Sequence, residues 1–360
     1  MKVLHLPTST GGMSWGLAQG ERSLGLLSEV LVMFDNWPQY PADRIIFKNP
    51  PVSFAEKAFN LSILFKEVFS IRSKYDVFHF NFGTTLIDLW HYGLPLLDLP
   101  LYKGKGKIVV TYNGCDARQK YLTKERVSFS ACQEDNCYGA ICNDGNQDKI
   151  KKIKIAKFDK YANTIFAVNP DLLYFLPART IFLPYAIANW TEIKTIPYKG
   201  IGKRVKIVHA PTDRVAKGAD IIIDALEKIK HYYGDIVEVI LVEKIPNKKA
   251  LKIYAEADLI IDQILVGWYG GLAVEAMKMG KPVMAFIRNE DLQFVPKQMA
   301  SECHDAIINA DPYTIFEKIC SIIENPEILR KHKEAGLEYV HKWHDPIYVA
   351  TLTKEKYETG

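Results

Sequence analysis

Residues 259–283 read LIIDQILVGWYGGLAVEAMKMGKPV. Leu259, Ile260 and Ile261 make a short apolar run that stops at Asp262, as a buried strand stops at its carboxyl end. Gly267, Gly270 and Gly271 then loosen the chain into a turn. Residues 271–279 come next with helical spacing, and Gly280-Lys281-Pro282 ends that helix and leads into a second apolar run at Val283. Strand, glycine turn, helix, strand is the βαβ unit of a parallel sheet. The amides that open the helix favour an anion. Glu275, about one turn in, is placed to accept hydrogen bonds from a ribose diol while Gly270 and Gly271 hold phosphate oxygens.

The same alternation extends outward in both directions. Strand-like runs fall at residues 3–6, 30–33, 77–80, 108–112, 164–168 and 180–183, then at 205–210, 237–242, 259–262, 283–286 and 306–309. Helix-like stretches lie between them at 16–27, 54–70, 150–161, 218–232, 248–255, 271–279 and 312–324. Two βαβ series therefore flank an aperiodic stretch, 189–203, that carries Pro197, Gly200 and Gly202. The chain reads as α/β, with two Rossmann-like doubly wound domains facing a cleft. Residues 1–188 form the first domain, 189–203 the linker and 204–342 the second. A closing helix, 343–360, is expected to pack back on the first domain.

At 360 residues, two domains is the expected count. The chain is 48% hydrophobic and 24% charged, which excludes disordered, collagen-like and coiled-coil classes. No run approaches a membrane-spanning length. The N-terminal apolar segment is too short for a signal peptide, so the reading is cytoplasmic. A net charge of +4 falls short of a nucleic-acid binder and suits an anionic small ligand.

Three further stretches sit where an α/β domain places ligand contacts. Gly11 and Gly12 come after the first strand and let the backbone approach a ligand. Asn113-Gly114-Cys115-Asp116 and Arg118 come after the strand at 108–112. Arg214 and Lys217 lie between the strand at 205–210 and the next helix. Two cations there oppose the helix dipole unless an anion, such as a diphosphate, is bound.

Taken together, the second half resembles the nucleotide-sugar-binding domain of family-4 glycosyltransferases, which have the GT-B fold. The segment Glu275-Ala276-Met277-Lys278-Met279-Gly280-Lys281-Pro282-Val283 matches the second Glu of the family's paired-Glu motif and the residues C-terminal to it. Lys217-Gly218-Ala219-Asp220 matches the family's Lys-Gly-x-Asp, and Gly11-Gly12 and Gly114-Cys115-Asp116 match its first-domain loops. The resemblance implies a retaining, metal-independent transfer of a sugar from a UDP- or GDP-sugar to an acceptor. The implied roles are Arg214 and Lys217 as electrostatic residues, Asp116 and Asn113 near the reacting sugar, and Gly11, Gly12, Gly270, Gly271 and Glu275 as donor contacts. It also implies a polysaccharide or lipid-linked carbohydrate acceptor. Three positions depart from the pattern. The first Glu falls at Gly267, the usual Arg at Thr212, and the His before Gly-x-Asp at Asn113. These leave a nucleotide-sugar epimerase or hydrolase, and a non-catalytic nucleotide-sugar-binding subunit, as competing readings.

Cys132, Cys137 and Cys142 recur at close intervals, with Cys115 upstream. A structural metal, a disulfide and free thiols all remain open for them. The lysines of 148–160 and of Lys103-Gly104-Lys105-Gly106-Lys107 fit either a solvated face or peripheral contact with the inner membrane face. Trp37, Tyr40, Trp90 and Tyr92 are candidate acceptor platforms or core, and a homodimer stays open.

Overall fold

The computed structural model describes residues 1–35, 38–197, 200 and 202–359. Trp37 and part of the expected linker (198, 199 and 201) lie outside the described residues. Twelve strands are described: β1 Lys2–Leu6, β2 Leu27–Phe34, β3 Arg44–Phe47, β4 Val77–Asn81, β5 Lys107–Tyr112, β6 Thr164–Ala167, β7 Ile181–Phe182, β8 Val205–His209, β9 Val237–Leu241, β10 Leu259–Ile261, β11 Val283–Ala285 and β12 Ile307–Asn309. The helices are α1 Met13–Ser23, α2 Phe54–Ile71, α3 Lys120–Arg126, α4 Asn146–Tyr161, α5 Arg214–Lys217, α6 Ala219–Tyr233, α7 Asn247–Tyr254, α8 Gly271–Lys278, α9 Lys297–Ala306, α10 Ile315–Glu324, α11 Glu327–Trp343 and α12 Pro346–Thr359.

The chain divides into two units. The first comprises Met1–Gln119, Gly145–Ala188 and Pro346–Gly360; the second comprises Lys120–Asp144 and Asn189–Asp345. The first holds a seven-stranded parallel sheet in the order β3-β2-β1-β4-β5-β6-β7. Alternate residues of its strands face two separate apolar layers. Leu4, Phe78 and Ile108 pack with Val68 and Phe158, while Val3, Val77 and Val109 pack with Met13, Leu17 and Val349. A sheet buried on both faces is what continuous Val/Ile/Leu runs specify. The second unit holds a five-stranded parallel sheet in the order β12-β11-β10-β8-β9. The α/β class with two doubly wound sheets is thus the one the alternation specifies.

Local signals set several boundaries. Ser53 caps α2 by accepting the Glu56 amide at 3.2 Å, while the Glu56 carboxylate accepts the Ser53 amide at 3.1 Å. Helix α1 ends at Ser23 rather than continuing to Leu27, because Gly25 turns the chain at φ +81° and Leu27 opens β2. Helix α11 stops at Trp343, and Pro346 starts α12. The sequence reading assigns 120–144 to the first domain, whereas its contacts place it in the second unit. There Phe129 packs against Phe286 and Tyr313, and Arg126 donates to the buried Asp291 carboxylate at 2.6 Å.

Candidate functional site

In each sheet the strand order reverses once, which creates a crevice at the carboxyl ends of two strands that are not consecutive in the chain. In the second unit this point lies between β8 and β10, and His209 at the end of β8 pairs in register with Ile261. After β8, the Asp213 carboxylate accepts the Ala216 amide at 2.8 Å and caps the single turn of α5. Gly218 stops that turn at φ +71°, and a Cβ there would come within 2.8 Å of Ile264 Cγ1. The Lys-Gly pair thus has a steric reason, since only glycine fits the turn that aims Lys217.

Lys217 Nζ donates to Asp262 Oδ1 at 2.7 Å, and Asp262 is fully buried. The other carboxylate oxygen accepts the Gly270 amide at 2.5 Å. A Cβ on Gly270 would stand 3.3 Å from both Asp262 Oδ2 and Lys217 Nζ. The ammonium group is thereby fixed beside the N-terminus of α8, where Asp262 offsets its repulsion from the helix dipole. Gly270, expected to hold phosphate, spends its amide on Asp262. The first amides of the helix proper, Gly271 and Leu272, are those that intrahelical bonding cannot satisfy. Arg214 is engaged elsewhere, gripping Glu243 in a two-bond fork at 2.8 and 2.9 Å.

Glu275 is buried on α8, and Asn247 Nδ2 donates to its two oxygens at 3.0 and 3.2 Å. Asn189 in turn donates to Asn247 Oδ1 at 2.5 Å. Burial raises the Glu275 carboxyl to about 7, against the opposing pull of Asn247. His209 donates from Nδ1 to the Ile261 carbonyl at 2.8 Å, which leaves Nε2 as a buried acceptor with no partner among the described residues. Desolvation lowers that ring to about 4, so it is neutral near pH 7, and the charges of Lys217, Asp262 and Glu243 all act on it. Gln263 pins the glycine turn. Its Oε1 accepts the Leu265 and Val266 amides at 3.0 and 2.6 Å, and its Nε2 donates to the Trp268 carbonyl at 2.6 Å.

Gly267, where the family pattern has a Glu, adopts φ +88°. A Cβ there would lie 2.5 Å from an Arg288 guanidinium nitrogen. The space beside this position is therefore filled by a cation of the same unit.

In the first unit, Gly11 and Gly12 both have positive φ, at +60° and +73°. They differ in surroundings: a Cβ on Gly11 would meet nothing within 4 Å, whereas one on Gly12 would strike Tyr40 and Ala188. Gly11 is thus the position open to a ligand, and Gly12 serves packing. The Asp116 carboxylate accepts the Asn113 amide at 3.0 Å and the Gly114 amide at 2.6 Å, which shapes the loop after β5. Desolvation raises this carboxyl to about 6, and those amides limit the rise. Asn113 Oδ1 is buried and has no partner among the described residues. Arg118 forks onto Asp171 at 2.6 and 3.0 Å. Thr8, Gly83, Cys115 and Asp116 border a cavity of 1110 Å³, with Trp90 and Tyr92 in its wall.

Cys115 belongs to the first unit, and Cys132, Cys137 and Cys142 to the second. Among the described residues, the one His/Cys/Asp/Glu group whose ligand atoms converge within 4.8 Å is His5, Glu21 and His79, all buried. Its members are engaged with protein: His5 Nε2 meets Glu21 at 2.8 Å, and Tyr357 meets both Glu21, at 2.8 Å, and His79, at 2.6 Å. On α4, Lys151 and Lys157 donate to the Arg118 and Pro95 carbonyls and Lys154 pairs with Asp88. Lys149, Lys152 and Lys160 are left exposed. No helix of the described residues is long and apolar enough to cross a membrane.

The sequence matches no family model and no curated protein. Solved structures do match along their whole length. The Anabaena protein HepE, in complex with UDP-glucose, aligns with a TM-score of 0.63 at 14% identity, covering 100% of each chain. Sucrose-phosphate synthase of Thermosynechococcus elongatus aligns at 0.59 and 14% identity, over 99% of this chain and 98% of that one. UDP-GlcNAc 2-epimerase of Neisseria meningitidis, bound to UDP-GlcNAc, aligns at 0.56 and 14% identity over 100% of both. The chain therefore has the fold of these proteins, the GT-B fold of two doubly wound sheets.

Proposed function

We propose that the protein is a glycosyltransferase that moves a sugar from a nucleoside diphosphate sugar to an acceptor, as a retaining, metal-independent enzyme of the family-4 type. The observation that carries this reading is the Lys217–Asp262–Gly270 cluster at the crevice of the second sheet, with Glu275 buried on the helix that starts there. When the glycosidic bond breaks, negative charge grows on the leaving diphosphate. Lys217, held in place before the reaction, and the first amides of α8 stabilise that charge without reorganising. Glu275 anchors the ribose, and Asn247 orients its carboxylate. Arg214 contributes only if the diphosphate draws it from Glu243. In the first unit, Asp116, Asn113 and Gly11 serve the reacting sugar and the acceptor. The complexes of HepE with UDP-glucose support UDP as the first nucleotide to test. Action in the cytoplasm, at the membrane face, on a carbohydrate or lipid-linked acceptor belongs to the same proposal.

A second reading has specific support. Gly267 replaces one carboxylate of the paired-Glu motif, and the fold is shared with UDP-GlcNAc 2-epimerases. In that reading the sugar is epimerised or released to water rather than transferred.

A thermal-shift screen with UDP, GDP and ADP, and then product analysis with the matching sugar nucleotide, separates the two. A conjugate supports transfer; an epimer or free sugar supports the alternative. Lys217→Ala is expected to lower turnover by roughly 10²–10³ while the protein stays folded. Unchanged turnover in that variant would remove Lys217 from the mechanism.

A further inference from the structure

Glu275 is held by two amides in series, and the direction of that series is fixed. An ionised carboxylate only accepts, so Asn247 must turn its Nδ2 toward Glu275, as it does at 3.0 and 3.2 Å. Asn247 Oδ1 then faces away and needs a donor of its own. Asn189 supplies it from Nδ2 at 2.5 Å. All three side chains are buried, so bulk water does not replace either donor.

Asn189 is the first residue of the second unit after the chain leaves Ala188. Its own Oδ1 is buried with no partner among the described residues, which is costly. A side chain kept for packing alone gains nothing from that orphaned acceptor; what the position supplies is the donor. The backbone around it is pinned. The Asn189 carbonyl accepts the Glu192 and Ile193 amides at 3.0 and 2.9 Å, and the Ile196 amide donates to the Met279 carbonyl at 2.9 Å. Lys278 Nζ lies 4.3 Å from the centre of the Trp190 ring, so residues 189–196 are fastened against the C-terminal end of α8.

Burial raises the Glu275 carboxyl, and the pull against it comes from Asn247. The titratable groups on the surrounding elements are committed elsewhere. On α7, burial and the Glu275 and Asp262 charges keep the Tyr254 hydroxyl protonated. At the end of β10, Asp262 is bonded to Lys217 and Gly270. On α11, His341 meets Lys278 Nζ at 3.2 Å and Tyr339 meets Tyr269 at 2.8 Å.

We propose that Asn189 is a positioning residue which, through Asn247, holds Glu275 in the ionised, accepting form that a ribose diol requires. The role at the ribose rests on the glycosyltransferase reading; the amide relay is tested without any ligand.

Two variants reverse or remove the relay. In Asn189→Asp the new carboxylate only accepts. It draws Asn247 Nδ2 to itself and leaves Asn247 Oδ1 against Glu275, which must then carry a proton. In Asn189→Leu the donor is lost without a new charge. The Glu275 carboxyl is followed by 13C NMR of the full chain, with Glu275→Gln identifying its signal. UDP-glucose affinity is followed by calorimetry, both between pH 6 and 8.5. The wild type is expected to titrate at about 7. Asn189→Leu should move that midpoint upward. Asn189→Asp should move it further, to about 8 or beyond, and so lower UDP-glucose affinity at pH 7 about fivefold. A shift in Asn189→Asp alone would mean that charge acts through space and would overturn the relay, as would a midpoint unmoved in both. Should neither variant fold, the wild type decides. The Asn189 side-chain amide, in chain carrying 15N-labelled asparagine, should titrate with the Glu275 midpoint, and an amide that ignores it overturns the proposal. No UDP-glucose binding in any form, with the NMR shifts intact, would sink the donor role of Glu275 and leave the relay standing.

Discussion

Glu275 is a carboxyl that burial raises from the ordinary 4.5 to about 7, and this has two consequences with opposite signs. A raised folded-state value means that the protonated form stabilises the fold. That contribution is complete below about 4.5 and is lost as pH rises through about 7. Ribose hydroxyls, in contrast, donate to the ionised form. Binding of UDP-glucose, whose diphosphate does not titrate in this range, should therefore strengthen as pH rises from 6 to 8. Glu275→Gln should flatten both trends, which melting curves and titrations at pH 5, 6, 7 and 8 would check. A wild-type affinity that stays level across pH 7 would remove Glu275 from the ribose. At this scale much of the candidate site was legible. Lys217, Gly270 and Glu275 announce themselves as a cation, a glycine turn and an acid at a strand end. Asp262 as the holder of Lys217, Asn247 as the orienter of Glu275 and the unsatisfied His209 ring were not legible. Each acts through a partner 28 to 52 positions away, which no local pattern records. His209 and Gln263 did leave one signal, as polar residues interrupting or ending buried strands.

Elements were easier to read where both faces of a strand are buried. The eleven strand-like runs all contain strands; in most, Val, Ile and Leu fill two layers at once, and in the edge strand β9 five residues, VEVIL, still leave an apolar run. The strand that escaped, β3, is an edge strand of four residues, RIIF, whose first two are exposed. One face of packing leaves too faint a pattern in four letters. Helix α12 presents a different case, since buried polar contacts add to the apolar packing of Val349 and Ala350. Tyr357 and Thr353 donate to Glu21 Oε1 at 2.8 and 3.4 Å, and Tyr357 also meets His79 at 2.6 Å. All four side chains are buried, so each lost bond leaves a group that water cannot reach. Tyr357→Phe should cost about 1–3 kcal/mol in urea unfolding, with little change in nucleotide affinity. Stability equal to the wild type would mean that the Glu21 network is not what docks this helix.

For the whole molecule, the two-series pattern located the aperiodic joint near residue 189 but not the traffic of the chain. Lys120–Asp144 crosses into the second unit and returns, and Pro346–Gly360 returns to the first. Neither move leaves a periodicity, because each depends on contacts such as Phe129 on Phe286 that join distant sequence. Cutting between Ala188 and Asn189 would thus give two incomplete pieces. Residues 1–188 would lack the Tyr357 and Thr353 donors to Glu21, and residues 189–360 would lack Phe129 and the Arg126 partner of Asp291. Each fragment alone should unfold at lower urea and with a shallower transition than the intact chain, which circular dichroism would show. Sharp, independent transitions for both would count against the division.

The covalent path between units runs through Gln119–Lys120, Asp144–Gly145, Ala188–Asn189 and Asp345–Pro346. Anyone who wishes to graft this protein's seven-stranded sheet onto the five-stranded sheet of a relative must make four splices, not one. A single-crossover chimera would inherit Arg126 from one parent and Asp291 from the other, and it would work only where both parents had kept that match.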